Sequence, residues 1–155
     1  MAEKAGIKID SVDWRRLSFS VGAINFTLEA ALRVECGLLL SEMALLESLL
    51  NSNERSLRMV ELCELLLLTP SGLTRVVDRL VRKQWLRRAA VSVDKRGSAV
   101  VLTPRGLACY LRAKDVSDRV LREALVERFT APELSLLARA LATLPATSPA
   151  ISKSR

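Results

Sequence analysis

The chain has 155 residues, half of them apolar, and a formal charge of +7. That is enough apolar material for one compact domain, and it excludes a disordered tail. Histidine is absent, which removes the commonest general base and metal ligand, so an enzyme is not expected. The three cysteines, Cys36, Cys63 and Cys109, are too scattered to suggest a disulfide framework or a zinc cluster. No uncharged apolar run approaches the roughly 18–20 residues that span a bilayer. The first ten residues also lack the apolar core of a signal peptide. A cytoplasmic protein with no membrane partner is expected.

In chain order, residues 1–10 read as a flexible N-terminus. Asp10 or Ser11 can cap a helix in which Trp14, Leu17, Val21, Ile24, Leu28 and Ala31 recur at spacings of three and four. Gly37 marks a break. Ser41 can cap a second helix with Leu45, Leu46, Leu49 and Leu50 on one face. After the polar Asn51-Ser52-Asn53, Ser56 can cap a third helix carrying Met59, Val60, Leu62, Cys63 and Leu66.

Thr69-Pro70 is a helix start: threonine supplies a cap oxygen and proline fits the first helical position. The spacing then places Leu73, Val76, Val77 and Leu80 on one side. Ser71, Thr74, Arg75, Asp78, Arg79 and Arg82 fall on the other. One face locks onto a core, while the other offers hydroxyls and arginines of the kind that read base edges in a major groove.

Past Trp85 the pattern changes to two short strands, Leu86 to Val91 and Ser98 to Leu102, around a basic loop ending in Gly97. Lys95 and Arg96 at its tip are placed to reach phosphates or a minor groove. Thr103-Pro104 starts a long helix to about Arg128. Thr130 and Glu133 form a capping box for a last helix with Leu134, Leu137, Leu141 and Leu144, which Pro145 stops. Residues 146–155 read as a flexible tail.

The charge is localised. Between Thr69 and Arg105 stand nine cations (Arg75, Arg79, Arg82, Lys83, Arg87, Arg88, Lys95, Arg96, Arg105) and two anions (Asp78, Asp94). Nine minus two equals the +7 of the whole chain; elsewhere fifteen cations balance fifteen anions. A solvated surface would spread such an excess. Concentrated in one quarter of the chain, it points to a polyanion partner.

The stretch Glu61-Leu62-Cys63, Leu66 and Thr69-Pro70-Ser71-Gly72-Leu73-Thr74-Arg75-Val76-Val77-Asp78-Arg79-Leu80 resembles the helix-turn-helix of the MarR family of bacterial transcription regulators. Asp94-Lys95-Arg96-Gly97-Ser98, Val100, Leu102-Thr103 and Gly106 resemble that family's wing and following helix. The resemblance covers about Trp14 to Leu144. It implies a mainly α fold with a small β-hairpin wing: a winged helix-turn-helix flanked by dimerisation helices over 11–36 and 104–145. The DNA-binding lobe spans 41–103, all within one domain over 11–145. It further implies a homodimer on double-stranded DNA with a pseudo-palindromic operator. The expected role is a repressor released by a small effector, often an anionic aromatic in this family.

On the combined reading, the DNA-binding residues are Pro70, Ser71, Gly72, Thr74, Arg75, Arg79, Lys95, Arg96 and Ser98. Asp94 supports the wing arginine. Asp78 would repel phosphate and is expected to pair with a neighbouring arginine. Trp14, Met43 and Tyr110 are weak effector candidates, with core or dimer packing as the competing reading. No cofactor or metal site is expected. Two departures from the family pattern stand out. Leu67 occupies the inter-helix turn where a small or polar residue is commoner. Gln84-Trp85 replaces a basic residue and glycine, so a different helix end and a shifted strand are expected. Two other functions stay open: a thiol-based redox sensor, with Cys36 as the more exposed cysteine, and a winged-helix protein-interaction module without DNA binding.

Overall fold

The computed structural model describes residues 10–90 and 98–143. The order is α1 (Ser11–Cys36), α2 (Leu40–Leu50), a 3₁₀ turn (Asn53–Arg55), β1 (Ser56–Arg58), α3 (Met59–Leu66) and α4 (Pro70–Arg82). Then come β2 (Leu86–Ala90), β3 (Ser98–Leu102), α5 (Pro104–Leu121), one π-helical turn (Arg122–Val126) and α6 (Ala131–Thr143). The mainly α fold with a small β wing agrees with the sequence reading. The two tails beyond Asp10 and Thr143, the last expected helical residue Leu144, its stop Pro145 and the loop of residues 91–97 lie outside the described residues.

Three helix starts form as the residue chemistry dictates. Asp10 Oδ1 accepts the N–H of Val12 at 2.7 Å and of Asp13 at 2.9 Å. Thr69 Oγ1 accepts the N–H of Gly72, and Thr103 Oγ1 that of Gly106, each ahead of a proline at the first helical position. At Thr130 only half of the expected box forms. Glu133 accepts both the backbone N–H and the hydroxyl of Thr130, which holds its carboxyl below the usual range.

Two expected caps are displaced. Ser41 lies inside α2, whose cap position is Leu39; the Leu39 N–H goes to Glu42 Oε2 at 2.7 Å and the Leu40 N–H to Glu29 Oε2 at 2.7 Å. Ser56 does not cap α3 but opens β1, which pairs antiparallel with β3, Ser56 opposite Val101. Glu61 accepts the N–H of Arg58 to start α3 instead. The expected two-stranded hairpin is therefore a three-stranded sheet in the order β1-β3-β2, with Leu86 opposite Leu102. A three-residue strand is too short to show alternation, so nothing in the sequence announces it. The helix expected to run to about Arg128 leaves α-geometry at Leu121.

Helix ends repeat one device. Gly37 (φ 62°) ends α1 in the left-handed conformation; Leu38 N–H returns to Leu32 O, and both leucines are fully buried. Leu67 (φ 53°) ends α3 in the same way, with Leu68 N–H on Cys63 O. At the end of α4 the left-handed residue is Gln84 (φ 61°), with Trp85 N–H on Leu80 O and Gln84 N–H on Val81 O. The departure at Gln84-Trp85 thus leaves the cap geometry intact. The glutamine, not the tryptophan, takes the conformation that glycine adopts at least cost.

Core side chains from α1 (Leu28, Leu32), α2 (Leu45, Leu46, Leu49), α4 (Leu73, Val77, Leu80) and α5 (Cys109, Ala113) meet over Leu62 and Val100. Only the last third of α1 joins this core, and α6 buries no residue in it. The chain closes where α4, the sheet and α5 converge. Thr103 Oγ1 lies 2.8 Å from Gln84 O and 3.0 Å from Trp85 O, and Thr103 N–H also reaches Trp85 O. Gly106 allows this approach, since a Cβ there would sit 2.1 Å from Trp85 O.

Gly106→Ala is therefore expected to lower unfolding free energy by about 1–3 kcal/mol, the cost of forced overpacking. Leu67→Gly should raise it by roughly 0.5–1 kcal/mol by relieving a left-handed leucine that is 65 % exposed. Urea unfolding at one fixed protein concentration measures both.

Candidate nucleic-acid interface

The candidate interface is built on α4. Leu73, Val77 and Leu80 are fully buried, while Pro70, Ser71, Thr74, Arg75, Asp78 and Arg82 are exposed. At 100° per residue these two sets occupy opposite sides of one helix, as the spacing predicts. The Thr74 hydroxyl donates to Pro70 O at 2.8 Å, leaving its oxygen free to accept. Ser71 Oγ lies 3.3 Å from Thr69 Oγ1. Gly72 allows close packing: an added Cβ would stand 3.1 Å from Thr69 Oγ1.

The cations divide into two groups. Four are engaged within the chain. Arg79 Nε donates to Glu42 Oε1 at 2.5 Å. Lys83 Nζ donates to Gly37 O at 2.6 Å and lies 4.4 Å from the Trp85 ring centroid. Arg88 pairs with Asp78 at 2.6 Å, the expected arginine partner for that aspartate. Arg105 donates to the side-chain amide oxygen of Gln84. Arg75, Arg82 and Arg87 are exposed and make no ion pair or side-chain hydrogen bond with other described residues.

Arg79 thus holds a position that the sequence reading did not foresee. Its partner Glu42 is 1 % exposed, and nothing in the α4 pattern indicates it. A signal does exist elsewhere: Glu42 is the lone charge between Leu38 and Leu46. A charge in such a stretch is normally buried only with a partner. Lys95, Arg96 and Asp94 fall in the loop outside the described residues. Ser98 opens β3, its backbone opposite Ala90.

The three effector candidates do not meet. Trp14 is 64 % exposed and lines an open depression with Ser11, Arg15, Ser18 and Phe19, all on α1. Met43 and Tyr110 pack inside the fold; Ser117 Oγ donates to Met43 Sδ, and the Tyr110 hydroxyl donates to Glu47 Oε1 at 2.9 Å. Cys36 is buried, against the expectation of exposure. Burial, and then the neighbouring Cys36, push the Cys109 thiol above its ordinary range, although Arg112 and Lys83 oppose the shift. A raised thiol is a poor nucleophile at neutral pH, which argues against thiol sensing at Cys109. No helix among the described residues is long and apolar enough to cross a membrane.

The architecture defines the class: a winged helix-turn-helix protein with long flanking helices. Residues 37–97 match the family model described as MarR family. The chain is 37% identical over 78 residues to the multiple antibiotic resistance protein MarR of Salmonella typhimurium, an alignment covering 50% of this chain and 54% of that protein. The matched stretch thus spans about half the length of that curated relative. The crystal structure of Sco3205, a MarR family transcriptional regulator from Streptomyces coelicolor in complex with DNA, superposes with a TM-score of 0.76 at 26% identity. It covers 92% of this chain and 89% of that one. Apo MarR from Escherichia coli gives a TM-score of 0.76 at 26% identity, covering 90% and 100%. Residues 37–97 thus carry the match to the MarR family, and the fold over nearly the whole chain is similar to that of MarR family regulators.

Burial, with the bond to Glu47, pushes Tyr110 up to about 12 from its ordinary 10. Because the folded value lies above the unfolded one, the contact contributes fully below pH 10 and is lost as pH rises towards 12. Tyr110→Phe should therefore be about 1 kcal/mol less stable than the parent at neutral pH. That gap should close between pH 10 and 12 in unfolding measured across the range.

Proposed function

We propose that the protein is a homodimeric, sequence-specific regulator of transcription that binds double-stranded DNA and acts as a repressor. The observation that carries this reading is the division of α4. Leu73, Val77 and Leu80 anchor it, and Ser71, Thr74 and Arg75, which is unpaired among the described residues, face outward. In this reading Arg75 contacts a base edge, and Ser71 and Thr74 bind base edges or phosphates, with Pro70 and Gly72 shaping the helix start. Arg79 offers its remaining guanidinium nitrogens at the groove edge. Lys95, Arg96 and Ser98 act from the wing, with Asp94 orienting Arg96. Half-sites one helical turn apart follow from the two-fold symmetry.

Dimerisation is supported by apolar side chains that one subunit leaves in water. Trp14, Leu17, Phe19 and Phe26 on α1, and Leu136 and Leu141 on α6, are all exposed. Two such helices at opposite ends of a chain suit an isologous interface. Control by a small anionic aromatic effector rests on the family resemblance; Arg15 beside Trp14 and Phe19 would offer such a ligand a cation among aromatic rings.

The test is duplex binding followed by fluorescence anisotropy over a range of salt. Affinity should fall steeply, with a slope of about −0.9 per phosphate neutralised. Arg75→Ala and Arg96→Ala should each weaken binding by about 1–3 kcal/mol. Salt-independent or absent DNA binding would favour a protein-interaction module. Sedimentation should show a dimer at micromolar concentration, and a stable monomer would contradict the symmetry argument.

A further inference from the structure

We propose that Glu42 and Lys83 are positioning residues for DNA recognition, gripping α4 from behind so that its outer face meets the groove in a single register. This inference rests on the DNA-binding reading above. It concerns residues that a search for DNA contacts would pass over or misassign.

Arg79 in the last turn of α4 and Lys83 at its C-cap are one turn apart, at i and i+4. Each reaches back into the fold. Arg79 Nε meets Glu42 Oε1 at 2.5 Å, and the other oxygen of that carboxylate takes the Leu39 N–H at the start of α2. Lys83 Nζ meets Gly37 O at 2.6 Å, at the left-handed end of α1, and lies over the Trp85 ring. Carbonyls at a helix C-terminus lack intrahelical partners and carry the negative end of its dipole, so an ammonium fits there. The last turn of α4 is therefore tied to the start of α2, and its C-cap to the end of α1.

The apolar contacts of Leu73, Val77 and Leu80 fix how deeply α4 sits, but they are not directional. A short charge-assisted hydrogen bond is directional and resists rotation and sliding. Base readout needs that restraint, because a hydrogen-bonding side chain displaced along the groove meets the wrong edge.

Charge makes the proposal testable. Glu42 is an anion beneath a basic surface, so simple electrostatics has its removal strengthen DNA binding. Positioning requires the reverse for the specific site. Glu42→Gln keeps the shape, but it puts a donating NH2 where one of the two carboxylate oxygens stood, so Arg79 and Leu39 can no longer both keep the acceptor each uses.

The full chain, Glu42→Gln and Lys83→Met are compared on two duplexes: one selected from a random pool by the parent, and a scrambled one of equal length. Thermal melting accompanies each variant. Glu42→Gln should lose at least about fivefold in affinity for the selected duplex, the lower end for losing one base-reading contact. Its affinity for the scrambled duplex should hold or rise. Lys83→Met should lose affinity for the selected duplex with the salt slope unchanged. Undiminished binding of the selected duplex by Glu42→Gln would overturn the proposal, as would equal loss on both duplexes. If Glu42→Gln fails to fold, Lys83→Met decides alone: a salt slope lowered by about one would make Lys83 a phosphate contact instead. Failure of the parent to enrich any duplex would strike the DNA-binding reading itself.

Discussion

A helix that is to enter a groove can be held from one side only, and α4, the helix proposed to do so, is anchored in that way. Its fully buried leucines and valine are each worth about 1.5–3 kcal/mol when removed from water, and they leave the opposite face exposed. The same constraint sorts the cations. Arg79 and Lys83 point inward to a carboxylate and a carbonyl. Arg88 neutralises Asp78, which would otherwise oppose phosphate. Arg75, Arg82 and Arg87 remain exposed and unpaired among the described residues. A positive face results from this selection more than from the raw count.

The second structural requirement is the join at Gln84-Trp85. Three elements meet at one point: the end of α4, the start of β2 and the start of α5. Two backbone carbonyls there share the hydroxyl of Thr103, and Gly106 leaves room for it. The start of α5, the base of the wing and the end of α4 are therefore bonded at one place. Gln84 holds a left-handed conformation at this point without being glycine, a cost of about 1–2 kcal/mol. The surrounding bonds, including that of Arg105 to its side chain, over-determine the geometry and so sustain the strain.

Much of this was legible in the sequence, where a periodic pattern coincided with end signals. Asp10, Thr69-Pro70 and Thr103-Pro104 mark real helix starts because the cap oxygen and the proline act locally. The two faces of α4 follow from a spacing of 3.6. What stayed hidden depends on distant partners. β1 exists only because β3 supplies its hydrogen bonds. Leu39 caps α2 because carboxylates of Glu29 and Glu42 take the first N–H groups. Arg79 reads as a groove residue until a glutamate 37 positions earlier in the chain closes on it. Cys36 reads as exposed beside Glu35 and Gly37, but it follows Leu28 and Leu32 at a spacing of four on the buried face of α1.

The central claim is that two copies of this asymmetric helix present their outer faces to one duplex. Selecting binding sites from a pool of random duplexes with the full chain tests it most directly. The account expects enrichment of a pseudo-palindrome whose half-sites are centred about one helical turn, ~10 base pairs, apart. Recovery of an unenriched pool, or of a single non-repeated site bound by one subunit, would contradict it.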